Sequence, residues 1–317
     1  MTRRSVNGFL ITVAVLFGAF SATIFGQAKP AGSSFRSITV VTEPSASVWI
    51  DGVGWGKTDK SGRMEIRTMS AGAHSLRVRA NGFKEKTVPL TAVQKGEVSV
   101  SLVKTTDEAE LAFQEGERMA FSDRDKAVEA YQRAIKLRPN YPDAYVALAR
   151  VQTEMQDTED ALASIVAARK LRPAFAEASA VEGRIQKENG EEAKAIAAFR
   201  RAITEGKGFQ PEAYAGLGLL YKEKAESAGA SGDFENEDIN FTEAAKNLKV
   251  SLKQLSGAPD TVVIYQLLGL IYEREKKYDE AIALYEEFLR IFPNSSEATA
   301  VRSFIVQIKK NMTTPQD

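Results

Sequence analysis

Residues 124–139 read RDKAVEAYQRAIKLRP, and residues 158–173 read TEDALASIVAARKLRP. Laid over one another they agree at Ala127 and Ala161, at Ala134 and Ala168, and at Pro139 and Pro173. A third stretch continues the alanine columns at Ala195 and Ala202, and a bulkier column runs through Tyr131, Ile165 and Phe199. Every step is 34 residues. Gly183 follows Ala149 by the same step, while Gly116 sits one residue off it, as if the first unit's inter-helix turn were one residue shorter. Within each period the apolar residues recur at helical spacing, so each unit reads as two helices that cross at the small residues. Larger residues then fill the space towards the next unit. No such unit buries its apolar face alone, so neighbours must stack.

A 34-residue, two-helix period resembles the tetratricopeptide repeat. The last unit carries the fullest match: Tyr265, Leu268-Gly269, Tyr272, Ala281, Tyr285 and Pro293, with Phe288 in place of a small residue. A fourth unit opens with Tyr214, Leu217-Gly218 and Tyr221 and resumes at Phe241, Ala244, Ala245 and Leu248 after an insert near 226–238. Gly229, Ser231 and Gly232 give that insert the reading of a loop. Five repeats therefore occupy 107–293. A capping helix is expected over 294–311, with Ile305 and Ile308 inward, and a frayed tail over 312–317.

Ahead of the repeats the apolar period falls to two. Ile38-Thr39-Val40, Ser47-Val48-Trp49-Ile50, Leu76-Arg77-Val78-Arg79 and Val98-Ser99-Val100 alternate, with Gly, Asp and Asn between them. Short strands at this spacing predict an antiparallel sandwich over 36–104, one face of each sheet wet and Arg77 and Arg79 on it. Glu43-Pro44-Ser45-Ala46, then Gly56-Lys57-Thr58, Ala71-Gly72-Ala73-His74 and Asn81-Gly82-Phe83 resemble the PEGA family of exported sandwiches. Thr58-Asp59-Lys60-Ser61-Gly62 departs from it towards the related carboxypeptidase-regulatory sandwiches. The fold class is thus multidomain: a small all-β sandwich followed by an all-α superhelical solenoid.

Arg3 and Arg4 precede an uncharged apolar run, Phe9 to Phe25, and Gly26-Gln27-Ala28 follows. That order is a secretory signal over 1–28, or an uncleaved anchor that would put 9–25 in the membrane. Residues 29–35 read as a linker. Either alternative exports the remainder to the periplasm or the periplasmic face of the inner membrane.

Lysine plus arginine and aspartate plus glutamate each total 42, but the balance is uneven. Residues 36–104 hold 11 basic and 6 acidic side chains, a net +5. No basic stripe interleaves with aromatics, so nucleic acid is not an expected partner. The chain has no cysteine and a single histidine, His74. Together with the absence of nucleophile elbows and metal motifs, this predicts no catalytic site, no metal and no cofactor. Gly52-Val53-Gly54-Trp55-Gly56-Lys57-Thr58 ends like a phosphate loop but lacks its first glycine and its following helix, so it reads as a hairpin. Asp233, Glu235, Glu237 and Asp238 likewise lack the glycine of a calcium loop.

In tetratricopeptide repeats the first helix of each unit lines a concave groove that holds partner peptides. The resemblance places Phe113 and Glu117, Val146 and Arg150, Arg184 and Lys187, Lys222 and Glu223, and Gln266, Leu270 and Glu273 there. The middle of that groove is basic, so the expected guest is an acidic extended segment or a chain terminus, gripped by guanidinium groups. The expected function is an exported, non-enzymatic scaffold. The alternative is an envelope-binding module whose basic sandwich touches anionic lipid or cell-wall polymer.

Overall fold

The computed structural model of the protein describes residues 35–313. The export segment, nearly all of the linker and most of the tail lie outside the described residues.

Among the described residues, seven strands form two sheets: β1 (Arg36–Val41), β2 (Ser47–Ile50), β3 (Val53–Lys57), β4 (Arg63–Met69), β5 (His74–Arg79), β6 (Lys86–Leu90) and β7 (Gly96–Ser99). One sheet has the order β4-β1-β7 and the other β3-β2-β5-β6. β1 and β7 run parallel, which corrects the expectation of a wholly antiparallel sandwich. Alternation sends Ile38, Val40, Val48, Leu76 and Val78 into a dry interior between the sheets. Asp51 and Gly52 close the β2–β3 hairpin at φ 51° and 83°. A two-residue turn with both central residues left-handed matches the strand twist, which is why the Asp-Gly pair sits there. Buried Thr58 staples the next corner, accepting from the Ala46 amide at 2.8 Å and donating to the Glu43 carbonyl at 2.7 Å. Ser45, on the resembled family's glycine position, is held at φ 58° by that corner.

Helices α1 (Glu108–Met119) and α2 (Arg124–Leu137) make the first hairpin, α3 (Pro142–Glu154) and α4 (Thr158–Leu171) the second, and α5 (Ala176–Glu188) and α6 (Glu192–Glu205) the third. α7 (Pro211–Ser231) and α8 (Phe234–Leu255) make the fourth, α9 (Thr261–Arg274) and α10 (Tyr278–Ile291) the fifth, and α11 (Ala298–Thr313) closes the array. Each hairpin is fastened by one complementary pair. A side chain placed on Gly116 would lie 2.5 Å from the Tyr131 ring, and one on Gly183 2.5 Å from Phe199. On Gly269 it would lie 2.3 Å from the Tyr285 hydroxyl, and on Gly218 2.6 Å from Leu248. The second unit has Ala149 at this position, and there the facing residue shrinks to Ile165.

The expected loop near 226–238 is helical instead. α7 has 21 residues and α8 has 22, where α5 and α6 have 13 and 14. Leu248 follows Gly218 by 30 residues, whereas Phe199 follows Gly183 by 16, so the insertion is 30 − 16 = 14 residues. Fourteen residues make about four turns at 3.6 residues each, two for each helix, so both buried faces stay in phase. Gly232 supplies the left-handed stop at φ 81°, and Asp233 caps α8 through the Asn236 amide. Glu235 and Glu237 then sit in the first turn, where the helix dipole favours carboxylates.

At one corner the outer face of the four-stranded sheet does not meet water, because α1 packs there over Arg79, while Thr87 and Pro89 of the same face stay exposed. The Arg79 guanidinium lies 4.7 Å from the Phe113 ring and 5.6 Å from Trp49. It pairs with Glu85 and Glu117, both at 2.5 Å. Gln114 accepts from the Gly82 amide and donates to the Phe83 carbonyl, each at 2.8 Å. The other sheet is reached by the α8–α9 turn. Ala258 is fully buried among the sandwich core residues, and Thr68 Oγ1 meets the Gly257 carbonyl at 3.4 Å. Arg290 stacks over Phe35 at 4.9 Å.

Gly183→Ala forces a methyl into a ring that is 1% exposed. Overpacking of this kind costs about 1–3 kcal/mol, only partly offset by the roughly 1 kcal/mol gain in helix propensity. Denaturant unfolding should show a net loss of about 1–2 kcal/mol. Gly183→Ala with Phe199→Ile, which copies the Ala149–Ile165 pair, should cost less than the two single changes added together. Simple additivity would show that the pair is not what fastens the hairpin.

Candidate interaction face

The first helices stand closer to one another than the second helices do. α5 packs against both α3 and α7 more closely than α4 and α6 pack against each other. The side on which neighbouring layers crowd is the inside of a curve, so α3, α5 and α7 line the inner face, and the resemblance to tetratricopeptide repeats carries α1 and α9 onto it.

Two of the residues expected to line a groove belong to the core. Phe113 is 4% exposed, packed against Tyr131 and Tyr141, and Val146 is 2% exposed within the second unit. Both are corrections: position along the helix was transferred, but the face is set by what packs on it. The basic residues do lie on the inner face, yet their charges are already taken. Arg150 reaches across α5 to grip Glu212 at 2.8 and 2.6 Å and touches Glu177 at 3.3 Å. Arg184 pairs with Glu154 and Glu188, Lys187 with Glu223 at 2.7 Å, and Lys222 with Glu226 at 2.6 Å. Glu117 is claimed by Arg79 of the sandwich. Burial acts to raise the Glu212 carboxyl, but the Arg150 charge and its hydrogen bonds prevail and hold it below the ordinary carboxylate value. Around Glu117 the balance is reversed: burial outweighs Arg79 and pushes the carboxyl up.

Gln266 and Leu270 fare differently. Gln266 is exposed, Leu270 is 57% exposed, and Val263, two turns before Leu270, is 56% exposed. Spacings of three and four residues put all three on one stripe of α9. Tyr285 donates to Glu273 at 2.6 Å, so Glu273 serves the fifth hairpin. The lengthened α7–α8 arm borders a cleft of about 620 Å³ with the α5–α6 turn, walled by Lys187, Glu192, Glu223, Lys224, Ser231 and Asn236.

His74 Nδ1 lies 2.6 Å from Asp51 and its Nε2 3.3 Å from the Ser70 hydroxyl, the order of a hydrolytic triad. Nε2 also stands 3.1 Å from the Ser70 carbonyl, and the adjoining cavity measures about 20 Å³, room for one water. The three residues tie the β2–β3 turn to the loop before β5. No group of three potential ligands suited to a metal ion occurs among the described residues. Glu237, which the calcium reading involved, is buried against Arg274. No helix among the described residues is long and apolar enough to cross a membrane; residues 9–25 lie outside them.

Sequence reasoning missed Arg79, Gln114 and Ala258. Trp49 on a face assigned to water was a signal that something covers it; Ala258 offered none.

Because Glu212 titrates below its unfolded value of about 4.5, folding favours its ionised form. That stabilisation is complete above about pH 4.5 and is lost as pH falls through the lower folded value. Glu212→Gln should therefore flatten the acid side of the stability curve and cost about 1–3 kcal/mol at pH 7, discounted because both partners are one-third exposed. An unchanged acid limb in urea titrations would show that the strap across α5 contributes nothing.

Three profiles of the tetratricopeptide repeat match residues 123–156, 146–208 and 262–295, and a PEGA domain profile matches residues 35–106. No curated protein sequence is similar enough to count as a relative. Among solved structures, yeast Tom70 is 18% identical, covering 65% of this chain and 41% of its own, with a TM-score of 0.52. The MamA protein is 22% identical, covering 61% of this chain and 96% of its own at a TM-score of 0.42. A thermophilic TPR protein of Thermus thermophilus is 20% identical over 64% of this chain and 99% of its own, with a TM-score of 0.45. At these identities the likeness concerns the fold. Profiles and packing agree: the chain is a tetratricopeptide repeat protein that carries a PEGA domain ahead of its repeats.

Proposed function

We propose that this protein is an exported, non-enzymatic scaffold that receives a partner protein on the inner face of its fifth hairpin. The observation that carries the reading is the stripe Val263, Gln266 and Leu270, two large apolar side chains more than half exposed on a first helix. Solvent-facing apolar residues on one stripe, between polar neighbours, suit an apolar-anchored segment of a partner. An acidic guest is disfavoured. It would have to displace Glu212, Glu177, Glu154 or Glu223 from cations that already hold them, with no net gain in ion pairs. Export rests on Arg3, Arg4, the apolar run 9–25 and the small-residue exit at 26–28. The non-enzymatic reading rests on the Ser70 carbonyl beside His74 Nε2 and on the cavity there, which measures only about 20 Å³.

A second reading has its own support. Lys57, Lys60, Lys84, Lys95 and Lys104 are exposed on the sandwich and make no ion pair among the described residues. Five uncommitted cations on one small domain suit an anionic envelope polymer or lipid surface. Changing all five to Glu should abolish low-salt sedimentation of the protein with anionic vesicles; retained sedimentation discards this reading.

The leading reading is tested by selecting peptides from a displayed library on the purified protein. Leu270→Asp with Val263→Asp should weaken the selected peptides at least tenfold, while Arg150→Gln should change their affinity less than threefold. The opposite ranking would place the binding site on the ion-paired middle of the inner face. A reporter active only outside the cytoplasm, fused after residue 35, tests export independently.

A further inference from the structure

We infer that the sandwich is a clasp. It is anchored on the first repeat and latched onto the turn between the fourth and fifth, and it fixes the curvature of the repeats until the latch is released.

The two seams are built differently. At the anchor, Arg79 lies between the Trp49 and Phe113 rings and is tied to Glu85 and Glu117, and its side chain is only 12% exposed. Gln114 satisfies one backbone donor and one backbone acceptor at the Gly82–Phe83 turn. The Thr105 amide donates to the Gly82 carbonyl at 2.9 Å, and Asp107 at the cap of α1 follows two residues later, so the connection has no slack. Opening this seam takes Glu117 from Arg79 and Gln114 from the Gly82 amide and the Phe83 carbonyl together, which makes it costly.

The latch holds nothing comparable. Its polar contact between sandwich and turn is the 3.4 Å approach of Thr68 to the Gly257 carbonyl, at the long limit of a hydrogen bond. The rest is apolar contact by Leu255 and the methyl of Ala258, with Arg290 stacked on Phe35. Beside it lies the cavity of about 20 Å³ between Ile50, Met69, His74 and Leu255, so the packing there is incomplete. Opening this seam strands no charge and no buried donor. Gly257 and Ser256 both sit at positive φ, 81° and 49°, so the turn that carries the latch is a tight, locally closed element.

Three whole repeats, the second to the fourth, lie between anchor and latch, and a stretch of solenoid held at two such points cannot flatten or tighten between them. Released, the repeats would flex about α1 and present a wider inner face, independently of which partner uses it.

The test uses the full chain, with and without Ala258→Arg, which places a charge inside the sandwich core. The expected result is a larger radius of gyration in small-angle scattering. It is accompanied by at least a tenfold loss of amide protection confined to strands β3 and β4 and residues 256–261, with α1–α6 unchanged. An unchanged radius and protection pattern would overturn the clasp. So would a uniform loss of protection throughout the chain, since that would make the seam part of one indivisible core. Should Ala258→Arg fail to fold by circular dichroism, Thr68→Val with Leu255→Ala decides by the same two readouts. Because neither readout involves a ligand, a failed clasp is distinguishable from a failed binding stripe on α9.

Discussion

Each hairpin of this protein depends on a position where one helix has almost no side chain and the other fills the space. Gly116, Gly183, Gly218 and Gly269 leave no room for even a methyl, because Tyr131, Phe199, Leu248 and Tyr285 occupy it. The second hairpin strikes the same balance by a different division, Ala149 against Ile165. Balanced volume at the crossing holds the interhelical distance constant, and a constant distance lets successive layers stack without accumulating error. The fourth hairpin shows how strictly this is observed: its inserted turns come close to a whole number, and the Gly218–Leu248 contact survives.

Stacking brings the first helices together and so decides the electrostatics of the inner face. Charges on adjacent first helices come within reach of each other, and here they alternate in sign: Arg150 with Glu177 and Glu212, Arg184 with Glu154, Lys187 with Glu223. A row of arginines read from sequence looks like a clamp for carboxylates. In three dimensions it is a set of cross-struts whose acidic halves lie one or two repeats away. The chain's own glutamates compete with any charged guest at full effective concentration, whereas Val263 and Leu270 of α9 stand exposed and apolar on that face.

The hairpin order, the small and bulky columns and the alternation of the sandwich strands were all legible, because each follows from a period short enough to see within a few dozen residues. The 226–238 segment was misread because Gly229 and Ser231 look like loop residues. Gly229 is in fact the small residue against which buried Glu237 packs near the tip of the arm. Phe113 and Val146 were assigned to a groove by their place in the repeat, but a helix presents a different face wherever an extra neighbour exists. In the first unit that neighbour is the sandwich. The contact from Thr68 to Gly257 spans 189 residues and joins two unrelated periods. No local pattern encodes such a contact, since Ala258 in any other turn would be an ordinary small residue.

The sandwich shows how a tertiary contact can override a correct local rule. Alternation placed Trp49, Arg77 and Arg79 on one face, and that parity is right. What failed, at the corner that carries Arg79, was the assumption that the face opposite the core meets water. Arg77 stands 4.3 Å over Trp49, and Arg79 extends the stack to Phe113, so a cation is wedged between an aromatic of the sheet and one of the first helix. Such a wedge desolvates the guanidinium, and only carboxylates from both sides make that tolerable: Glu85 comes from the sandwich and Glu117 from α1. Deleting either domain would strip Arg79 of half its partners. The two domains are therefore coupled in part through one desolvated charge, which acts together with Gln114 and with the taut connection at residues 104–106 to set the position of the sandwich on the first repeat.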